Sequence, residues 1–334
     1  MLHINAQQDT ADIVTLTRDN YSRSTFLDDR LDHATDITSV SLSELKTAAN
    51  QHLPPRQMGF IFHIAFCGST LLSRCLDQPG ICLPYKEPAI LHALSHYKRS
   101  LEEQGYDIDV NEQLSLCLAL LGRTFSATEI PVIKPSDTCN NMIGPFISHH
   151  PDNAGLLLYR NLRPYALSML EHPSRRGFMR QCLDRGRMDL KRLGILQEVD
   201  TSTLNDAQTA AYLWLSQLYL YQYWLLQPEL NLRSLNAEEF YHQPDNTLQH
   251  VAELFRLNLT QQDITAIMSS GIMDRDAKDS MSDSSFQSRA AMKKRIAEDI
   301  ADELDECEAW VKPYIEKYPL DYPLPRNLLK SKSN

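Results

Sequence analysis

Residues 58–75, MGFIFHIAFCGSTLLSRC, decide the fold, because three local patterns follow one another within them. Residues 58–66 are a continuous apolar run, rich in aromatic and β-branched side chains, with the length of a buried strand. The tight turn Gly-Ser-Thr at 68–70 follows. Residues 71–77 then favour a helix. A buried strand, a tight turn and a helix in this order are one unit of an α/β protein.

The same alternation continues on both sides of this stretch. Further strands are predicted at 81–83, 129–134, 155–160 and 230–236. Helices are predicted at 41–51, 88–104, 111–125, 138–149, 162–172, 175–196, 203–227, 245–256, 260–269 and 288–316. Strands that alternate with helices imply a parallel sheet with crossover helices, and the C-terminal half is largely helical.

No linker divides the chain into independent domains. We expect a polar N-terminal extension over 1–55, irregular up to residue 40, then one α/β domain over 56–320 and a polar tail over 321–334. Residues 207–228 carry no formal charge, but their glutamines and tyrosines favour a buried helix over a membrane span.

The composition excludes several classes of protein. The 334 residues include 43 acidic and 33 basic side chains, a net charge of −10, which argues against a nucleic-acid partner but not against a small phosphorylated ligand. The seven cysteines have no CxxC spacing and the first residues lack a secretory signal, so we expect reduced, buried thiols in a cytoplasmic protein. No spacing typical of metal ligands is present.

The turn at 68–70 has the chemistry of an anion site. Gly68 lets the backbone approach a ligand, and Ser69 and Thr70 add hydroxyl donors beside the free N–H groups of a helix start. The turn is not a Walker A loop, because Gly68 stands where that motif has lysine. A strand followed by an ordinary capped helix is the alternative interpretation.

A second informative segment is LLLYRNLRPYALSML, residues 156–170. Arg160 follows a buried strand, and Ser168 lies eight residues later in the next helix. In open α/β sheets ligands collect at the carboxyl ends of the strands, so Arg160 and Thr70 are expected on one rim. Arginine can bind a phosphate through two parallel charge-assisted hydrogen bonds.

These two segments together resemble the PAPS-dependent sulfotransferase family. Its phosphosulfate loop typically reads (basic)-Ser-Gly-(Ser/Thr)-Thr-Leu-Leu, where this chain has FCGSTLL at 66–72, and its 3′-phosphate segment has the spacing of Arg160 and Ser168. The resemblance implies a P-loop-like parallel sheet flanked by helices, with PAPS as cofactor and PAP as its product. It assigns the nucleotide contacts to Cys67, Gly68, Ser69, Thr70, Leu71, Arg160 and Ser168.

The resemblance also suggests two catalytic residues. Glu87 lies where tyrosylprotein sulfotransferases and some bacterial relatives carry a base, and Lys134 lies where they carry a lysine that helps the phosphate depart. Glu87 could instead be an acid at a helix start, and Lys134 an exposed strand end. His63 and His92 are the fallback bases, unless both are merely packed in the structure. No metal is implied.

The chain departs from the family in its loop. Phe66 replaces the basic residue, Cys67 replaces serine, and the Gly-x-x-Gly-x-x-Lys loop of cytosolic members is missing. We therefore expect sulfuryl transfer from PAPS to a hydroxyl or amine of a small molecule or peptide. A nucleotide-binding protein without turnover is the alternative, and a small-molecule kinase or NTPase is a weaker one.

The net charge is unevenly distributed. Residues 298–308 contribute −7, whereas residues 160–192 carry nine bases and three acids. A basic region therefore begins at the predicted phosphate rim. Arg163 either joins that rim or pairs with a surface acid. The polar segment 270–288 is predicted to be a loop that could close over a ligand. The tyrosines and tryptophans of 212–224 are predicted to form either the core face of a helix or an acceptor pocket.

Overall fold

The computed structural model describes residues 3–5, 9–28, 31, 37–51, 57–106, 109–274 and 286–329. Its strands are β1 (His3–Asn5), β2 (Thr10–Val14), β3 (Ile37–Ser41), β4 (Gly59–His63), β5 (Cys82–Lys86), β6 (Ile130–Lys134), β7 (Ala154–Tyr159) and β8 (Leu232–Asn236).

The helices surround these strands. They are α1 (Arg18–Arg23), α2 (Leu42–Gln51), α3 (Ser69–Cys75), α4 (Ala89–Glu103), α5 (Asn111–Leu121), α6 (Ile143–Ser148), α7 (Leu162–Leu170), α8 (Pro173–Leu193), α9 (Asp206–Leu225), α10 (Ala237–His242), α11 (Pro244–Phe255), α12 (Gln261–Ser269), α13 (Phe286–Asp299) and α14 (Ala301–Lys317). Short 3-10 segments lie at Asp137–Met142, Thr201–Thr203 and Ile272–Asp274.

The main sheet has five parallel strands in the order β5-β6-β4-β7-β8. Every residue of β4, β5 and β7 is buried, because helices cover both faces of the sheet. The continuous apolar runs of the sequence are therefore central strands, and the predicted α/β class is confirmed. The strand of the opening stretch, β4, lies at the centre.

The N-terminal segment differs from the irregular chain expected there. β1, β2 and β3 pair in an antiparallel sheet of their own, and α1 begins at a capping box formed by Thr17 and Asn20. The composition does not indicate this sheet, because its strands are polar and mostly half-buried or exposed, with Ala11 the buried residue of β2. The helix predicted from Ser41 and Glu44 is confirmed as α2.

α9 is the central helix of the C-terminal half. Asn205 and Gln208 form its capping box, and Tyr212, Tyr219 and Tyr221 are among the largest fully buried side chains. The uncharged stretch is thus a core helix, as predicted, and most of its aromatic residues are core. Within the described ranges, none of the helices combines the length and the hydropathy that a bilayer crossing requires.

The segment after α14 is not simply a polar tail. Ser234 of β8 donates its N–H to Arg326 and accepts from Leu328, at 3.0 and 2.8 Å. Leu324 is buried beside the same strand. A few leucines among prolines and polar residues were too weak a sequence signal for this packing. The long helix predicted over 288–316 is likewise two helices, α13 and α14, which meet at Ile300.

Candidate functional site

The carboxyl ends of the five parallel strands meet along one edge of the sheet and bring polar side chains there in spatial order. Listed in the order of the strands, these are Glu87 after β5, Lys134 ending β6, His63 ending β4, Arg160 after β7 and Glu238 at the start of α10, two residues beyond β8. Because α3 follows β4, Thr70 lies at the same edge of the sheet as Arg160, as predicted.

The loop between β4 and α3 has an unusual backbone. Phe66 and Gly68 both have positive φ angles, 60° and 82°. A Cβ added at Gly68 would collide with the hydroxyl of Tyr241. Glycine is favoured at this position both by its backbone conformation and by its lack of a side chain. Cys67 between them is fully buried, with its thiol inside the core.

The residues that open α3 point inward. Ser69 and Thr70 are 5% and 4% exposed, and Leu71 packs in the hydrophobic core. The residues that the family resemblance assigns to the loop are thus contiguous and packed against the sheet. Leu71 supports the turn through packing, since its side chain has no polar group to offer a ligand.

Arg160 joins three parts of the site. Its Nη1 donates to the Phe66 carbonyl at 3.1 Å and to Ser168 Oγ at 3.3 Å, and its Nε donates to Glu238 at 3.0 Å. The indole of Trp214 on α9 donates to the Arg160 carbonyl at 2.8 Å and fixes the backbone there. The structure thus brings together Arg160, Ser168 and the loop, as the sequence spacing predicts.

Glu87, Lys134 and His63 form a second cluster on the neighbouring strands. The Lys134 ammonium is fully buried, makes an ion pair with Glu87 and lies 3.4 Å from His63 Nε2. His63 Nε2 also lies 3.5 Å from the Glu87 carboxylate. Lys134 is therefore not an exposed strand end. Glu87 follows β5 with a positive φ of 54°, which turns its carboxylate toward the lysine.

The cluster shifts the ionisation of its members. Burial raises the pKa of Glu87, but the charges and hydrogen bonds of Lys134 and His63 outweigh burial and hold that pKa well below its usual value. Burial and Lys134 lower the pKa of His63, whereas interactions with Cys67 and Glu87 raise it, with a net increase from 6.5 to about 9. The raised pKa favours the protonated form of His63 beside the Glu87 carboxylate.

Residues of α9 and of the segment after β6 support this cluster. Asn140 donates its amide N–H to the His63 carbonyl at 3.1 Å and to Gln217 at 2.6 Å. His63 Nδ1 lies 3.1 Å from the Ile64 carbonyl, which orients the ring. The strand end is therefore held by buried hydrogen bonds as well as by packing.

Several functional neighbours were not predicted from the sequence. Phe26 lies with its ring 5.7 Å from Lys134 Nζ, and the Arg175 guanidinium lies 4.5 Å from the centroid of the Phe66 ring. Glu238 and Tyr241, described above, are two others. No local sequence pattern marks Phe26, Glu238 or Tyr241, because each reaches the site from a distant part of the chain, and Arg175 is only one of nine bases in the region 160–192.

Other predicted residues lie away from the clusters. Arg163 pairs with Asp305 and Glu308 of α14, at 2.7 and 3.3 Å, so it is bound to surface acids. His92 is exposed on α4. Of the loop predicted over 270–288, residues 275–285 lie outside the described residues. Among the residues that are described, no group of three or more His, Cys, Asp or Glu side chains could hold a metal ion.

Comparison with known proteins finds similarity in solved structures only. No family model matches this chain, and no curated protein does. Solved structures similar to it include a sulfotransferase domain from the curacin biosynthetic pathway, with 15% identity, a TM-score of 0.40 and coverage of 75% of this chain and 98% of that one.

Two further similar structures are a sulfotransferase from Alicyclobacillus acidocaldarius and retinol dehydratase in complex with androsterone and inactive cofactor PAP. The first has 15% identity and a TM-score of 0.33, and the match covers 76% of this chain and 98% of that one. The second has 13% identity and a TM-score of 0.36, with 94% and 98% covered.

Proposed function

We propose that this protein transfers a sulfuryl group from PAPS to a hydroxyl or amine acceptor and releases PAP. The observation that carries the proposal is the position of Arg160, whose guanidinium bonds at once to the Phe66 carbonyl and to the Ser168 hydroxyl. One cation thus connects the loop of the first motif with the helix of the second. A nucleotide with phosphates at both the 5′ and 3′ positions matches such a pair of sites.

The residues present fit this cofactor at the loop. Gly68 has no side chain, so the backbone of the loop lies against the hydroxyl of Tyr241, and a phosphate that binds there has to displace this phenol or accept a hydrogen bond from it. The backbone of Cys67 and Gly68 and the hydroxyls of Ser69 and Thr70 would hold the 5′-phosphosulfate side. Arg160 and Ser168 would hold the 3′-phosphate. Glu238 now pairs with Arg160, so a phosphate has to exchange with that carboxylate.

PAPS, when bound, supplies an activated sulfuryl group on a phosphate leaving group. Lys134 would stabilise the negative charge that grows on that phosphate, a role in which a buried cation is especially effective. Glu87 would take up the proton of the acceptor. If the Lys134 ammonium were shared with the leaving phosphate, it would stabilise the Glu87 carboxylate less, and that carboxylate would be a stronger base.

The proposal is tested by calorimetric titration with PAP, ATP and GTP, followed by sulfate transfer from labelled PAPS to a broad panel of phenols, alcohols, amines and peptides. We expect tight binding of PAP and transfer to at least one acceptor. Tight binding of ATP without binding of PAP would contradict the proposal and favour a kinase or NTPase.

Arg160→Ala should weaken the binding of PAP far more than the binding of AMP, because AMP lacks the 3′-phosphate. A hydrogen bond to a charged group contributes about 1.5–3 kcal/mol, so its loss should lower the affinity about 10- to 100-fold. Arg163→Ala is the matched control, since Arg163 pairs with Asp305 on the surface. An equal loss for PAP and AMP would refute the assignment of Arg160 to the 3′-phosphate.

A nucleotide-binding protein without turnover is the second candidate. It is favoured by Phe66 in place of the loop base and by the low pKa of Glu87, which makes that carboxylate a weak base. Binding of PAP with no transfer across the whole panel would support this function. In either case the free, buried cysteines fit the reducing cytoplasm that we propose as its compartment.

A further inference from the structure

Phe66, the residue that replaces the loop base, contacts two arginines. Its carbonyl accepts from Arg160 Nη1 at 3.1 Å. Its ring lies under Arg175, with the guanidinium carbon 4.5 Å from the ring centroid. A guanidinium over an aromatic face is held by electrostatic attraction without losing its charge. The loop therefore has no cation of its own at residue 66, but it holds one from α8.

Arg175 and Arg160 converge on Ser168. Arg175 Nη1 donates to the Ser168 carbonyl at 2.7 Å, whereas Arg160 Nη1 donates to the Ser168 hydroxyl at 3.3 Å. Each arginine also pairs with one carboxylate, Arg175 with Glu171 and Arg160 with Glu238. Phe66 and Ser168 thus form a common support for two guanidinium groups that enter from different elements.

The side chain of Arg175 remains accessible for a ligand. It is 34% exposed, and its hydrogen bonds within the described part of the chain all use Nη1. A guanidinium carries five N–H donors in a fixed planar arrangement, so Nε and Nη2 face other directions. These donors suit a phosphate, whose oxygens accept paired N–H groups.

We propose that Arg175 is a second ligand of the 3′-phosphate, positioned by the ring of Phe66; this inference rests on the proposed function. A phosphate monoester carries about two negative charges at pH 7. Arg160 alone would leave one of them unmatched. Arg175, which bonds to the carbonyl of Ser168 while Arg160 bonds to its hydroxyl, would supply the other positive charge. Phe66 then positions this arginine. The residue at 66 would thus hold a cation in place where the family's basic residue is itself the cation.

The test compares Arg175→Gln with Arg176→Gln, its neighbour on α8, whose guanidinium instead bonds to Glu303 and Asp206. Calorimetry measures PAP, adenosine 3′-phosphate and adenosine 5′-phosphate. We expect Arg175→Gln to weaken the two 3′-phosphorylated ligands by about tenfold or more and the 5′-phosphate by less than about twofold. Arg176→Gln should leave all three affinities unchanged.

The role of Phe66 is tested by Phe66→Leu, with Phe66→Tyr as the control that keeps an aromatic face. We expect Phe66→Leu to weaken PAP by several-fold and Phe66→Tyr to retain its affinity. In the double variant Phe66→Leu/Arg175→Gln, the loss should equal that of Arg175→Gln alone, because the ring acts through the arginine. Thermal unfolding of each variant checks that the fold is intact.

The outcomes separate this inference from the proposed function. If PAP binds and Arg160→Ala is selective for it while Arg175→Gln has no effect, or affects adenosine 5′-phosphate equally, the role of Arg175 is wrong and the function stands. Fully additive losses in the double variant would overturn the positioning role of Phe66. If the wild-type protein does not bind PAP at all, the proposed function fails and this inference fails with it.

Discussion

At the scale of single residues, Gly68 has two independent reasons to be glycine. Its φ of 82° costs other residues about 1–2 kcal/mol, and a Cβ there would meet the Tyr241 hydroxyl. Gly68→Ala should therefore move the loop and weaken PAP by more than about tenfold, which is 1.4 kcal/mol of binding free energy. Calorimetric titration of the variant with PAP measures the loss.

Gly80→Ala is the matched control for this change. Gly80 has nearly the same φ, 79°, but a Cβ there would have open space around it. It should lower the free energy of unfolding through backbone strain alone and leave PAP binding intact. Adding Tyr241→Phe to Gly68→Ala should recover part of the affinity. Unchanged PAP binding by Gly68→Ala itself would show that the loop does not touch the nucleotide.

At the scale of the elements, the strands and helices that could be predicted are those determined by the residues within them. The apolar runs gave the central strands, and the spacing of Arg160 and Ser168 placed both on one rim. The antiparallel sheet of β1, β2 and β3 was missed because its strands are short and polar and because β3 pairs with β2 from a distant part of the chain. Glu238 and Arg175 were missed because only the folded chain brings them to the loop.

α1 shows how one side chain attaches an element to the sheet. Arg18 donates to Glu129 at 3.2 Å and to the Cys82 carbonyl at 3.1 Å, and it forms a 2.6 Å ion pair with Asp77. Arg18→Gln should lower the free energy of unfolding by about 2–4 kcal/mol, because it leaves two largely buried carboxylates without their cation. Urea denaturation measures this change.

Arg23, on the same helix, provides the comparison. It pairs with Asp19, and both side chains are more than half exposed, 68% and 61%. Arg23→Gln should change the free energy of unfolding by less than about 0.5 kcal/mol, since exposed ion pairs contribute little. Similar losses for the two variants would mean that Arg18 stabilises α1 and not its attachment to the sheet.

At the scale of the whole molecule, the opposite charges seen in the sequence meet in space. Residues of the acidic α14 pair with the basic region, Asp305 with Arg163 and Glu303 with Arg176. These pairs neutralise the arginines that face α14. Arg160 and Arg175 contact the loop instead and pair with Glu238 and Glu171, so a phosphate at the rim of the sheet has to compete with these two carboxylates.

The stability of the protein should depend on pH through the cluster of His63 and Glu87. The pKa of His63 is raised from 6.5 to about 9, so its contribution is complete below pH 6.5 and is lost as the pH rises through 9. The pKa of Glu87 is lowered, so its contribution is present above about pH 4.5 and is lost as the pH falls further. The two contributions coexist between about pH 4.5 and 6.5.

His63→Gln isolates the first contribution. Between pH 6.5 and 9, the wild-type protein should lose up to about 3 kcal/mol more of its free energy of unfolding than the variant. Urea denaturation of both proteins across this range measures the difference, and groups that titrate elsewhere cancel in the comparison. Parallel pH profiles for the two proteins would show that His63 is neutral in the folded state.

The seven buried thiols have a consequence for observing the molecule in motion. Burial raises the pKa of Cys75, Cys117, Cys139 and Cys307 to about 12, so alkylating reagents can modify these residues only when the surrounding structure opens. They lie in α3, α5, the 3-10 segment after β6, and α14. The order in which mass spectrometry finds these cysteines alkylated therefore ranks the local opening reactions of the native protein by how readily they occur. No engineered probe is needed.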